Sequence, residues 1–455
     1  MIKPSGPLHG TVRAGGAKNS ALKLMAACLL SEGRHVLSNV PRIKDVEIMA
    51  DLLRATGARV ERSRPGASAT SATSATSATS ATSATSAAPA APAAPAAPDA
   101  PADLVVDVPR ELVPVAPYEL VEQMRASVVL LGPLLARCGE ARFSLPGGDD
   151  FGSRPIDIHL GAFEAMGASF EVVHGYIEAK VGDTRGRRQN LAGTKVVLEY
   201  PSHTATDNVL MAAARAKGTT VIENAAREPE VVDLARFLSS MGARIKGAGT
   251  SRIEVEGVEE LLPSSHRVIP DRVVAATYLA AVGLAGGEVV VEDAHVEHMD
   301  MLLRKLGEMG MVVSLAPEGL RARSDGRLHS VDLATLPYPG VATDYKPFLV
   351  TMLAVADGVG IVTENLFAGR FRYVEELRRM GADISTEGHH AVVRGVPRLS
   401  GAPVKAPDLR GGAALVLAGL AAEGETVVSG AEHVERGYED LAGKLSALGA
   451  SVIRR

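Results

Sequence analysis

Tryptophan is missing from this chain of 455 residues, and all aromatic side chains together make up 4% of it, so any core must be built mainly from its abundant alanine, valine and leucine. Cysteine is scarce as well. The two present, Cys28 and Cys138, match no zinc spacing and no disulfide framework. Both sit in apolar runs (Leu24-Met25-Ala26-Ala27-Cys28 and Leu134-Leu135-Ala136-Arg137-Cys138), where a thiol serves as a small buried hydrophobe. Positive charge is not in excess: the formal net charge is -5, which argues against a broad nucleic-acid-binding face and makes any cationic function local. No polar-free run approaches the roughly 20 residues of a membrane span, and the first residues lack the charged, apolar and small-residue segments of a secretory signal. The expectation is a soluble protein of a reducing compartment, the cytoplasm, with no membrane insertion.

What the chain does have is repetition. A Gly-bearing turn, a β-branched run, a polar loop, a helical pattern and a closing glycine recur six times. The cassettes run from Glu32-Gly33 to Thr56-Gly57, from Gly139-Glu140 to Met166-Gly167, and from Lys217-Gly218 to Met241-Gly242. Three more span Gly286-Gly287 to Met309-Gly310, Asp357-Gly358 to Met380-Gly381, and Glu423-Gly424 to Leu448-Gly449. Runs such as Thr219-Thr220-Val221-Ile222 predict strands. Val232-Asp233-Leu234-Ala235-Arg236-Phe237-Leu238 carries apolar residues at helical spacing. Each closing glycine stands where a helix needs a left-handed C-cap. The first cassette is separated from the second by Ala-Thr-Ser and Ala-Ala-Pro triplets. These have almost no large apolar side chains to offset the entropy of ordering, which predicts a disordered surface insertion over 66–104.

The loops entering the helices form one equivalent surface across the repeats, and they hold the unusual polar residues: Asp149 and Arg154, Arg227 and Glu228, Asp293 and His295, Arg370, and Glu435 and Arg436. Recurrence of charge in that slot predicts convergence on a shared cleft. The stretch Leu145-Pro146-Gly147-Gly148-Asp149-Asp150-Phe151-Gly152-Ser153-Arg154-Pro155 sets a carboxylate on a glycine-rich loop just before an arginine at a helix start, an arrangement suited to proton delivery beside a bound anion.

Gly16-Ala17-Lys18-Asn19, Met124-Arg125-Ala126-Ser127, Leu145-Pro146-Gly147-Gly148 with Arg154-Pro155, and Glu223-Asn224-Ala225-Ala226-Arg227-Glu228-Pro229-Glu230 occur in that order. Pro270-Asp271-Arg272, Ala342-Thr343-Asp344, Arg370-Phe371, Asp408-Leu409-Arg410 and Arg436-Gly437-Tyr438 follow. In this set the chain, apart from its insertion, resembles the UDP-N-acetylglucosamine 1-carboxyvinyltransferases, enolpyruvyl transferases that open peptidoglycan precursor synthesis. The resemblance implies an α/β fold of two inside-out α/β-barrel domains, each of three βαβαββ units. The implied domains are 19–268, carrying the insertion, and 1–18 with 269–455.

The same resemblance implies site residues. Lys18, Arg125, Arg154, Arg370, Arg410 and Arg436 would hold phosphoenolpyruvate, with Lys18, Arg154 and Arg436 nearest the phosphate and Arg370 and Arg410 nearest the carboxylate, since a guanidinium fork pairs bidentately with such oxygens. Asp344 would be the general base at the acceptor's 3-hydroxyl, Asn19 would orient that hydroxyl or hold the intermediate, and Phe367 and Asp408 would support them. Arg154-Pro155-Ile156-Asp157-Ile158 resembles the uracil-holding segment. By the same resemblance Ser202, His203 and Thr204 would stand beside the diphosphate, where the family commonly has Pro-Ser-Val-Gly-Ala-Thr and this chain has Pro201-Ser202-His203-Thr204-Ala205-Thr206. That departure leaves a second acceptor open, UMP or a related uridine nucleotide of nucleoside-antibiotic pathways. A non-catalytic nucleotide-binding relative is a third reading. Shikimate is disfavoured by the Leu-Pro-Gly-Gly-Asp loop and the Arg-Pro-Ile-Asp segment. No cofactor and no metal are expected: His295 with His298, and His389-His390, lack a third ligand. No phosphate-binding G-x-x-x-x-G-K-[ST] and no G-x-S-x-G is present, and Ser202, His203 and Asp207 are not read as a triad.

The family's loop acid is usually cysteine, and here it is Asp149. A carboxylate is a far poorer nucleophile toward an epoxide than a thiolate. Incubation with fosfomycin is therefore expected to leave activity intact in the unmodified protein and to abolish it, with a covalent mass increment, in Asp149→Cys.

Overall fold

The computed structural model describes residues 1–63, 102–148, 156–182, 190–367 and 369–454. Two hydrophobic cores organise it. The first collects apolar side chains from Ala17 to Val268, and the second those of Ile2 to Ala14 together with Val273 to Ala450. We propose these as two domains, 19–268 and 1–18 with 269–455.

Both cores are built inside out. Helices Lys18–Cys28, Leu131–Cys138 and His203–Ala213 are almost wholly buried in the first, and helices Arg272–Ala285, Lys346–Val355 and Leu409–Leu420 in the second. The last three pack on one another. Their composition explains it: a helix such as Arg272-Val273-Val274-Ala275-Ala276-Thr277-Tyr278-Leu279 is apolar on all sides and is stable only when enclosed. The sheets lie outside. Strand Thr219–Glu223 pairs in parallel with Lys195–Val197 and antiparallel with Arg252–Glu256, which pairs with Arg244–Lys246. The same order of one parallel and two antiparallel pairings recurs around Gly33–Ser38, Gly287–Glu292 and Val359–Thr363. Alternate strand residues face the helices or solvent, as in Val359-Gly360-Ile361-Val362, where Val359 and Ile361 are exposed and Val362 is buried.

The six closing glycines all take positive φ, between 88° and 108°. At 57, 242, 310, 381 and 449 the glycine N–H and the next N–H both return to the preceding turn, as in Gly242 N to Ser239 O and Ala243 N to Leu238 O, each 3.0 Å. One sequence expectation needs correction. The insertion, placed over 66–104, lies outside the described residues except at its end, where Ala102 is buried and Leu104 opens strand Leu104–Val108. The Leu-Val-Val-Asp-Val pattern is a half-buried strand that pairs with Gly33–Ser38, so order returns before residue 104.

The chain crosses between the cores twice, and the crossings lie side by side. Ala17 N donates to Ile269 O (2.7 Å), Asp271 N to Gly15 O (2.9 Å), and Gly16 bridges Pro270. Gly16 is obligatory there, because a Cβ would fall 1.7 Å from Asn39 O. Asp271 joins both: Oδ1 caps helix Arg272–Ala285 through Val273 N and Val274 N, and Oδ2 accepts from Lys18 N at 3.0 Å, at the start of the first core's inner helix.

Gly242→Ala forces a side chain into positive φ with no neighbour to blame, and is expected to lower unfolding free energy by about 1 kcal/mol. Gly307→Ala, inside helix Asp300–Glu308 and facing open space, is expected to raise it by roughly 0.5–1 kcal/mol. Denaturant titration of the two variants, with opposite signs, checks the assignment.

Candidate active site

Where the two crossings meet, residues from both cores line one cleft of about 300 Å³. Lys18 and Asn19 open helix Lys18–Cys28, and Arg125 opens the short 3-10 helix Arg125–Leu130. From the second core come Asp344, just before helix Lys346–Val355, with Phe367 and Arg370 after strand Val359–Thr363. Arg410 starts helix Leu409–Leu420, and Arg436 follows helix Ala431–Glu435. Lys18, Asn19, Arg125, Arg410 and Arg436 stand at helix ends, and Asp344, Phe367 and Arg370 stand in the loops that lead into helices.

Burying so many cations requires partners, and carboxylates supply them. Asp45 accepts from Lys18 Nζ at 2.6 Å and from Arg436 Nε at 2.9 Å, a bridge between the cores. Burial would raise its carboxyl, but the two cations hold it below its ordinary value. Asp344 is held between Arg370 Nη1 (2.8 Å) and Arg410 Nε (3.1 Å). Burial again opposes ionisation, and the two guanidiniums overcome it and drive the carboxyl far below the usual range. Behind it, wholly buried Glu364 accepts from Thr335 Oγ1, Thr343 Oγ1 and Lys346 Nζ (2.7, 2.7 and 2.8 Å) and from the Leu366 and Phe367 amides. That hub fixes the loops that present Asp344 and Phe367. Beside the crossings, Arg272 Nε donates to Glu230 Oε1 at 2.9 Å, an ion pair between the cores with both side chains buried.

The remaining wall is Tyr200, Pro201, Ser202, His203 and Thr204. Ser202 caps helix His203–Ala213 by accepting from Ala205 N. His203 Nε2 lies 3.3 Å from both Lys23 Nζ and Asp207 Oδ2. The cleft is thus a cationic recess, open on one side, with a bridging carboxylate at each cationic pair and one polar wall.

A sequence profile described as EPSP synthase (3-phosphoshikimate 1-carboxyvinyltransferase) matches residues 2–89 and 99–445. The chain belongs to this family of enolpyruvyl transferases. It is 43% identical over 455 residues to UDP-N-acetylglucosamine 1-carboxyvinyltransferase 1 of Caldanaerobacter subterraneus subsp. tengcongensis, covering 100% of this chain and 99% of that one. The enzymes of the same name from an Anaeromyxobacter species (46%, covering 98% and 97%) and Nocardia farcinica (45%, covering 100% and 98%) are similarly related. Among solved structures, the enolpyruvyl transferase NikO from Streptomyces tendae superposes with a TM-score of 0.81 at 24% identity, covering 99% of this chain and 97% of that one. EPSP synthase from Acinetobacter baumannii does so at 0.70 and 17%, covering 99% and 98%. These two share the fold.

Of the residues singled out in the sequence, this transferase brings Lys18, Asn19, Arg125, Ser202, His203, Thr204, Asp344, Phe367, Arg370, Arg410 and Arg436 into the cleft. Asp408 does not line it; its carboxylate caps helix Leu409–Leu420 through Arg410 N and Gly411 N, both 2.9 Å. Nor do Ile156, which is buried, or Asp157 and Ile158, which open helix Asp157–Ala165. Asp149, Arg154 and Pro155 lie outside the described residues. The expected convergence of all helix-entry loops holds only in part. Asp293 pairs with Arg13 at 2.7 Å on the neighbouring strand, His295 with Glu297, and Glu435 with Arg454, each local cation or acid being nearer than the cleft. Arg227 is exposed, while its neighbour Glu228 lines the cleft.

Sequence reasoning missed Asp45, Lys23 and Glu364, and gave Arg272 only as part of a motif, without a role. Asp45 was detectable, since Pro41-Arg42-Ile43-Lys44-Asp45 fills the helix-entry slot of the first repeat. Lys23 and Glu364 carry no local signal; only the packing reveals them.

Glu230 tests the pairing logic. Burial would raise its carboxyl, and Arg272 leads the charges that hold it at about 2, against an ordinary value of 4.5. A depressed carboxyl stabilises the fold above the ordinary value and loses that contribution as pH falls toward the folded one. Glu230→Gln is expected to cost about 3 kcal/mol at neutral pH by leaving Arg272 uncompensated. Urea titrations should show the gap to the unmodified protein closing as pH drops from 4.5 toward about 2.

Proposed function

We propose that this enzyme transfers the enolpyruvyl group of phosphoenolpyruvate to the 3-hydroxyl of UDP-N-acetylglucosamine and releases phosphate, the first committed step of peptidoglycan precursor synthesis. The observation that carries the reading is the pair of carboxylates, Asp45 and Asp344, each held between two cations in one cleft. Phosphoenolpyruvate bears two anionic ends, and two cationic pairs suit it. Lys18 and Arg436 take the phosphate, with Arg125 and Arg154, and Arg370 and Arg410 take the carboxylate. Arg410 Nη1 is buried without a hydrogen-bond partner among the described residues, a donor that an anion satisfies. The relatives' names favour the UDP-sugar as acceptor over UMP. Both substrates are cytoplasmic metabolites, so the same reading places the reaction there.

The chemistry is addition and then elimination. The acceptor's 3-hydroxyl oxygen bonds to C2 while C3 gains a proton from Asp149, and Asp344 removes the hydroxyl proton, giving a tetrahedral ketal. C3 then returns a proton to the Asp149 carboxylate, the C2–O bond to phosphate breaks, and the vinyl ether and phosphate remain. Asp344 gripped by two guanidiniums is a weak base. When the substrate's carboxylate takes Arg370 and Arg410, that grip loosens and the carboxylate becomes more basic as the substrate arrives. Asn19 orients the hydroxyl, and Phe367 supports the carboxylate end.

The test is phosphate release from phosphoenolpyruvate with UDP-N-acetylglucosamine and, in parallel, with UMP, with mass spectrometry of the product. Turnover with the UDP-sugar is expected. Turnover with UMP alone, or nucleotide binding without turnover, overturns the reading. Asp344→Asn should lower kcat by roughly a hundredfold or more while leaving phosphoenolpyruvate binding unchanged or tighter, because its arginines are freed.

A further inference from the structure

Lys346 is a buried cation with no part in that chemistry. It holds the first position of helix Lys346–Val355, where the macrodipole opposes a positive charge, and its side chain is 1% exposed. Nothing in the helix calls for a cation there; the surroundings do. Nζ donates to Glu364 Oε2 at 2.8 Å and to Arg370 O at 2.6 Å, and it stands 3.8 Å from the centroid of the Phe371 ring. Glu364, itself wholly enclosed, engages Thr335 Oγ1 and the Leu366 and Phe367 amides through Oε1. Its Oε2 faces Lys346 and Thr343 Oγ1, and that same hydroxyl accepts from Arg370 Nη1 at 3.0 Å. Arg370 is therefore the next cation in line for Glu364, one hydroxyl away, while its Nη1 also reaches Asp344 Oδ1 at 2.8 Å. A carboxylate buried this far needs a counter-charge. With the ammonium in place Glu364 has one, and Arg370 is left to Asp344. Without it the guanidinium has two acids to serve and is drawn inward.

We propose that Lys346 is a positioning residue: it neutralises Glu364, so that Arg370 can exchange Asp344 for the carboxylate of phosphoenolpyruvate. The substrate half rests on the function proposed above; the compensation half does not. Lys346 acts at two points, on the charge of Glu364 and on the backbone carbonyl of Arg370 itself. Of the groups facing the ammonium, Glu364 and Asp408 favour its proton and Arg370 opposes it. Tyr373, in the same cluster, is driven far above its ordinary value by burial and stays neutral. Burial, first, outweighs the acids and brings the lysine down to about 8. The compensation is thus in place at neutral pH and fades above that value.

A cycle of two variants tests both halves. Lys346→Met removes the ammonium alone. Lys346→Met combined with Glu364→Gln removes both charges, and the amide oxygen can still accept from Thr335 Oγ1 and the two backbone amides. Lys346→Met should raise KM for phosphoenolpyruvate about tenfold and leave KM for the nucleotide within about twofold. The double variant should return to within about threefold of the unmodified value. A role in packing alone requires the opposite, a double variant at least as impaired as the single one. That result, or an unchanged KM in Lys346→Met, overturns the substrate half. In the unmodified enzyme KM for phosphoenolpyruvate should climb as pH rises through about 8, and in the double variant it should stay flat across the same range; an equal climb in both overturns that half as well. Urea titration reads the compensation without any substrate. The midpoint of Lys346→Met should lie below that of the double variant, and the reverse order overturns the pairing. A single variant that fails to fold beside a folded double variant counts as the expected order. Absence of phosphoenolpyruvate turnover with both UDP-N-acetylglucosamine and UMP overturns the functional reading and the substrate half, and the urea order then decides the compensation by itself.

Discussion

Cations held out of water need counter-charges before any substrate arrives, and this requirement shapes the whole molecule. Lys18, Arg436, Arg370, Arg410 and Arg272 are each paired with a buried or partly buried carboxylate. Without those acids the cleft would repel itself apart. With them it is stable, and under the proposed function the pairings at Asp45 and Asp344 are the ones an anionic substrate replaces. The network that binds is therefore also the network that folds. A substitution made to probe the chemistry disturbs packing at the same time.

The position of the cleft follows from the crossings. Two strands of chain run side by side at Gly15–Ala17 and Ile269–Asp271, and Asp271 caps inner helices of both cores at once. The helix starts that carry Lys18 and Arg272 are thereby set against each other, and the ion pairs Asp45–Arg436 and Glu230–Arg272 span the same seam. The cores are thus joined by a few backbone hydrogen bonds and one carboxylate, with the charged contacts of the cleft beside them.

How much of this was legible in the sequence depends on the element. The outer helices and the glycines that end them were readable because half-buried helices leave a periodic pattern and a left-handed cap admits few residues. The inner helices were not, because an all-apolar segment such as Leu409–Leu420 has no face to detect. Individual cleft residues were recovered mainly through resemblance; Asp408, which caps the helix that carries Arg410, and Ile156, Asp157 and Ile158 are not among the described residues that line the cleft. Lys23 and Asp207 show the converse. Each looks like an ordinary helical residue in sequence, and only the meeting of two helices turns them into neighbours of His203.

The second core is discontinuous in sequence: Leu8–Arg13 pairs with Gly287–Glu292, and Ile2 bridges both Thr426 and Val452. This has a consequence for synthesis. The first core holds all its strands within one uninterrupted stretch and can condense while later residues are still being translated. The second has to keep its opening strand waiting, solvent-exposed, until more than two hundred further residues have been added. The cleft, which draws on both, comes into being last, so a chain that stops before the second core holds one wall of the site without the other.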